Sequence, residues 1–92
     1  TRDYSFIGMV KSYDAGTGIA VVEQRNKMVI GDEIEVFGPG RDFFSQTLDF
    51  MQDEEGNDIE SAPHPQQIVQ IRMKEPVAEN FILRKRKGQA DC

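Results

Sequence analysis

The residues best equipped for chemistry sit in one short stretch, Ser61-Ala62-Pro63-His64-Pro65-Gln66-Gln67. His64 is the one histidine of the chain, and a proline stands on each side of it. A proline holds its own φ near about −65° and pushes the preceding residue toward extended geometry, so Ala62 and His64 lie on a stiff backbone. Stiffness suits the presentation of an imidazole or an amide, and it equally suits a plain corner between strands. A general base or nucleophile activator needs a partner within hydrogen-bond reach. Ser61 is almost adjacent in an extended segment, a poor triad geometry, and the single cysteine, Cys92, is the last residue. One histidine with scattered carboxylates is also a weak basis for a metal site. No catalytic and no metal-ligating residue is therefore assigned. The stretch reads as a corner that presents His64, Gln66 and Gln67 to a partner.

Other polar stretches are weighed in the same way. Glu23-Gln24-Arg25-Asn26-Lys27 is either a polar strand end or a contact to phosphate or a partner domain through Arg25 and Lys27. Asp53–Glu60 has a superficial likeness to a calcium loop. Counted from Asp53, however, the sixth position is Asp58 rather than the required glycine, so an acidic hairpin turn is expected. Gly38-Pro39-Gly40 and Ala15–Gly18 match no phosphate-binding pattern, and no strand-loop-helix unit follows them, so both read as turns.

The elements that must position these residues are strands. Residues 5–13 and 19–25, joined by the glycine-bearing turn 14–18, predict a hairpin. Met28–Ile30 reads as a short strand, and 33–37 alternates with Ile34 and Val36 inward. Residues 41–52 read as one strand carrying Phe44, Gln46, Leu48 and Phe50 on one face. Residues 59–62 are extended, 67–73 place Val69, Ile71 and Met73 on one face, and 80–86 form a last strand. Six or seven short strands with turns at nearly every break predict an all-β domain, a small closed or nearly closed antiparallel barrel. Closure would also remove exposed strand edges.

The chain has 92 residues, 38% hydrophobic and 29% charged, which fits one small globular domain that buries somewhat more than ~60% of its unfolded surface. No apolar run approaches the ~20 residues of a membrane span, and no secretory signal opens the chain. A first residue of Thr1 suggests a piece of a longer protein. One terminal cysteine allows no internal disulfide, and a reducing, cytoplasmic location is the simplest reading. The net charge is −5, and Arg84, Lys85, Arg86 and Lys87 against Asp91 give +3, which leaves −8 on residues 1–83. The expected organisation is a barrel over 1–83 and a basic tail over 84–92. The acidic body argues against a broad nucleic-acid surface, while the tail could make local phosphate contacts or be simply solvated.

Taken together, the stretches GIAVVEQRNKMVIGDEIEVFGPG, APHPQQIV and NFILRKR resemble the C-terminal domain of the collagenase-like peptidase family, the U-32 family of unassigned catalytic type. The resemblance runs from Phe6 to about Arg86, with Met28 where the family leads one to expect an aromatic residue. It implies that the domain follows a larger α/β barrel holding the cysteines and the reaction centre. None of those motifs is present, so no catalytic residue carries over. Members were named proteases, whereas some relatives are associated with oxygen-independent hydroxylation of RNA or of quinone precursors, with an iron–sulfur cluster in the parent's catalytic domain and no cofactor in this one. Those bearing this domain look most like the tRNA-modifying branch. VIGDEIEVFG also resembles the strand-turn-strand of the second domain of translation elongation factor Tu, a β-barrel that helps hold the acceptor end of aminoacyl-tRNA.

Two functions follow as expectations. In the first, the domain is a non-catalytic accessory barrel that positions an RNA such as tRNA for a hydroxylating catalytic barrel. Arg84, Lys85, Arg86 and Lys87, with Arg25 and Lys27, would then meet phosphates, and His64 and Gln66 would give polar or stacking contacts. In the second, it is a structural or protein-interaction module that packs on its own catalytic domain or on a twin chain. Autonomous peptidase activity would need a nucleophile–base pair or a metal set, and the sequence supplies neither.

Overall fold

A computed structural model describes residues 4–39 and 41–86. Nine β elements follow in chain order: β1 (Tyr4–Asp14), β2 (Ile19–Gln24), β3 (Met28–Val29), β4 (Glu33–Gly38), β5 (Arg41–Thr47), β6 (Met51–Asp53), β7 (Ser61–Ala62), β8 (Ile68–Arg72) and β9 (Ile82–Arg86). No helix occurs among the described residues. Seven strands form one antiparallel sheet in the order β5-β4-β9-β1-β2-β8-β6, and β3 pairs with β7 as a separate two-stranded ladder. The sheet curls into a half-barrel, so the expected all-β, barrel-like architecture is the one found.

Period-two patterning explains most of it. Ala20 and Val22 in β2, Ile34 and Val36 in β4, and Val69 and Ile71 in β8 are all fully buried, while their neighbours face outward. The curl has its origin in β1, which pairs with β9 through Tyr4–Met9 and with β2 through Gly8–Asp14. Its register shifts once on each side, between Phe6 and Gly8 and between Val10 and Ser12, and such bulges increase local twist. Gly8 is required there for space. A β-carbon would lie 2.7 Å from both Met28 Cε and Val22 Cγ1.

One sequence expectation is corrected. Residues 41–52 are not one strand: β5 ends at Thr47 and β6 starts at Met51. The break is tertiary. The Leu48 N–H donates to Asp32 O and the Gly31 N–H donates to Leu48 O, 2.8 Å each, which ties Leu48 to the turn before β4. The next buried side chain is then Met51, three residues on, and the period of two is lost. Across this corner the chain passes from one sheet edge to the other. The Gln46 side chain bridges the seam: its Nε2 donates to Arg72 O at 2.9 Å and its Oε1 accepts from the Lys74 N–H at 2.7 Å. The last strand expected over 80–86 is found as β9, so Arg84 and Lys85 of the basic run are strand residues, paired with β1 and β4.

Gly8→Ala is expected to cost about 2 kcal/mol through overpacking. That lowers Tm by roughly 10 °C for a domain of this size. Gly16→Ala, whose β-carbon would meet only Asp14 Oδ1 at 3.3 Å, stays within about 0.5 kcal/mol of the parent in the same thermal melts.

Candidate functional site

The proline-flanked corner is held from beneath by the end of β2. The Gln24 N–H donates to Gln67 O at 2.8 Å, and the Gln66 N–H donates to Gln24 O at 2.9 Å. Within the corner, the Gln67 N–H donates to His64 O at 3.2 Å and the His64 N–H donates to Gln67 Oε1 at 3.4 Å. Gln66 sits at φ 61°, in the left-handed region, and this strapping holds it there. Pro63, His64, Pro65 and Gln66 are exposed, while Gln67 is half-buried and spends its side chain on the turn.

One contributor escaped the sequence reading. Gln24 is buried at 1% exposure, and its Nε2 donates to Ala62 O in β7, just before the corner. Its Oε1 is buried without a partner among the described residues. A signal was available: Ala20, Val22 and Gln24 share the inward phase of β2, and a polar residue on that phase needs a specific partner. Gln24→Ala removes the side-chain donor to Ala62 O and opens a void, so a loss of about 2–4 kcal/mol is expected in denaturant unfolding.

The 24–27 loop lies against the same corner. The Arg25 N–H donates to Ile7 O at 2.7 Å and Asn26 Nδ2 donates to Phe6 O at 2.8 Å, which tie the loop to β1. The Arg25 guanidinium lies 5.8 Å from the Phe6 ring centre and 3.8 Å from Glu23 Oε1, which also receives Lys11 Nζ at 3.5 Å. Lys27 is exposed and forms no ion pair among the described residues. The main-chain bonds of Gln24 thus set the start of the 24–27 loop beside the 63–67 corner, while the Arg25 side chain turns to Glu23 and Phe6.

The basic run is placed differently. Arg84 donates from Nε and Nη2 to Glu35 Oε1 at 2.8 and 2.7 Å, and its guanidinium lies 4.1 Å from the Tyr4 ring centre and 5.0 Å from that of Phe37. Lys85 points the opposite way and bonds Asp32 Oδ2 at 3.1 Å, an oxygen that also accepts from the Val29 N–H. Both charges are thus compensated within the fold. Lys87, Cys92 and the side chain of Arg86 lie outside the described residues.

A shallow cleft on the far side of the corner is lined by Asp53, Glu54, Glu55, Gln66, Gln67 and Ile68. Its acidic wall is a turn built on Asp53, whose Oδ1 accepts from the Glu55 and Asn57 N–H groups at 2.9 Å each, with Gly56 at φ 90°. Backbone donors consume the carboxylate, which explains why the calcium-like spacing makes a turn. No group of three histidine, cysteine, aspartate or glutamate side chains converges on a metal position among the described residues. The hydrogen bond from the Asn57 N–H, chiefly, holds the Asp53 carboxyl below its ordinary 3.8, against a smaller opposing effect of burial. A depressed folded-state pKa contributes stability above the unfolded value that is lost as pH falls through the folded one. Asp53→Asn should therefore lie below the parent in Tm above pH 5, and the gap should close as pH drops under 3.8.

Comparison with known proteins adds three findings. Residues 2–84 match the family described as "Peptidase family U32 C-terminal domain". The "tRNA hydroxylation protein P1" of Bacillus subtilis (strain 168) is 38% identical over 84 residues, which are 91% of this chain and 20% of that protein. The chain thus spans about a fifth of the length of this curated relative. Two crystal structures of the C-terminal domain of a Geobacillus thermoleovorans protein named as a U32 peptidase superpose closely. The selenomethionine form has a TM-score of 0.85 at 44% identity, covering 88% of this chain and 99% of that one. The other has a TM-score of 0.84 at 45% identity, covering 87% and 90%.

Proposed function

The chain belongs to the peptidase U32 family as its C-terminal domain, and we propose that it is a non-catalytic accessory module that helps position tRNA for a hydroxylating catalytic barrel of the parent protein. The observation that carries this reading is the 38% identity, over nearly the whole chain, to a protein named for tRNA hydroxylation. The exposure of Arg25, Lys27, His64 and Gln66 on two loops joined through Gln24 supports it. Lys27, and Arg25 once released from its longer 3.8 Å contact with Glu23, meet phosphates, which fixes register without reading sequence. His64 and Gln66, on their stiff corner, offer an imidazole face and an amide to an unpaired base or a ribose hydroxyl. The acidic Asp53–Glu55 wall repels phosphate and confines the backbone of the RNA to the 24–27 side.

An iron–sulfur cluster of such a parent would belong to its catalytic part in the cytoplasm. Residues 4–86 contain no cysteine to ligate one. In this reading the peptidase name reflects descent and not the reaction.

The test is tRNA binding by this chain at low and moderate salt. Its C-terminal-domain relatives crystallised as separate domains, so a separate domain is a sound object. Affinity is expected to fall with salt, and Arg25→Gln with Lys27→Gln should reduce the slope of log K against log salt by about 1.8, at ~0.9 per phosphate. A salt dependence unchanged by the double variant, or no binding at low salt, would overturn the proposal.

A further inference from the structure

The outer face of β5, β4, β9 and β1 breaks the rule that a solvated sheet face is polar. Tyr4, Phe6, Met9, Phe37, Phe43 and Ile82 all point outward, away from the core residues that alternate with them. The register aligns them: Met9 is opposite Ile82, and Ile82 is opposite Phe37, so one apolar row crosses three strands. Phe6 at 40% and Phe43 at 54% exposure flank that row. Arg84 stands opposite Phe6 on one side and Glu35 on the other, with its charge neutralised and its guanidinium laid on Tyr4 and Phe37.

We infer that this face is where the domain docks on the part of its own polypeptide that precedes it. Three observations favour that occupant. Aromatic residues, methionine and arginine with little net charge make up the core of a protein interface. A nucleic-acid surface instead leaves its cations free for phosphates, and here Arg84 is already paired. Second, the family description makes this the C-terminal domain, and the Bacillus relative is about five times longer than the matched stretch, so most of the parent chain comes before it. Third, that chain arrives through β1, and Tyr4 of β1 is a member of the aromatic cluster. A tethered neighbour is held at high effective concentration, so an apolar row of this modest extent suffices for docking. The inference is independent of RNA binding. It assigns the outer face to the parent protein and leaves the 24–27 and 63–67 loops at its rim.

Hydroxyl-radical footprinting of the full-length parent against this chain alone reads the face without mutation. Oxidation of Phe6, Met9 and Phe43 is expected to fall at least fivefold in the parent, while His64 and the exposed Ile30 react equally in both. Equal oxidation of the face in both proteins would overturn the inference. So would protection that appears only on adding tRNA, or protection in the isolated chain that grows with its concentration, since RNA or a second copy would then be the occupant. As a second readout, Phe6→Ser with Phe43→Ser should leave the Tm of the isolated chain within a few degrees and increase the radius of gyration of the parent in solution scattering. An unchanged radius would count against docking through this face.

Discussion

A single strand hydrogen-bonded on both sides organises this domain. Gly8 and Met9 are the residues of β1 that pair with β2 and β9 at once, and a bulge lies on either side of them. The two halves of the sheet therefore bend about one point, and at that point no side chain fits because the Met28 thioether and Val22 occupy the space. Met28 in turn is opposite Ala62, which fixes β7 and with it the start of the proline corner. The placement of the corner is thus inherited from β1 by direct contact, through one methionine.

The sequence made the strands of this fold legible wherever their burial followed a local period, as in β2, β4 and β8. It concealed what depends on distant partners. Nothing between residues 41 and 52 announces that Leu48 will be tied to Asp32, and without that tie the run continues as one strand. The same holds for the positive charges. Arg84 and Lys85 read as part of a basic tail open to solvent or phosphate, because their pairing with Glu35 and Asp32 depends on distant partners, about fifty residues away in sequence. Gln24 is an intermediate case. Its inward phase was readable and its partner, Ala62 O, was not.

These distant pairings also divide the surface by chemistry. The outward phase of β1, β9 and β4 carries an apolar row beside the Arg84–Glu35 pair, whereas the loops after β2 and β7 are polar, with Lys27 unpaired among the described residues. The acidic turn on Asp53 borders the second region from the far side. Carboxylates pair with the basic residues across the sheet, Glu35 with Arg84, Asp32 with Lys85 and Glu23 with Arg25 and Lys11.

The strapping of the corner has an evolutionary consequence. Its shape is set by main-chain groups of residues 24, 64, 66 and 67 and by the side-chain amides of Gln24 and Gln67, while the imidazole of His64 and the amide of Gln66 make no such bond among the described residues. Scaffold and displayed groups are therefore separable. Drift at positions 64 and 66 changes the groups on display at little cost to folding, provided that residue 66 tolerates the left-handed backbone. Position 24 has no such freedom, and neither does Gly8 at the bend beneath it.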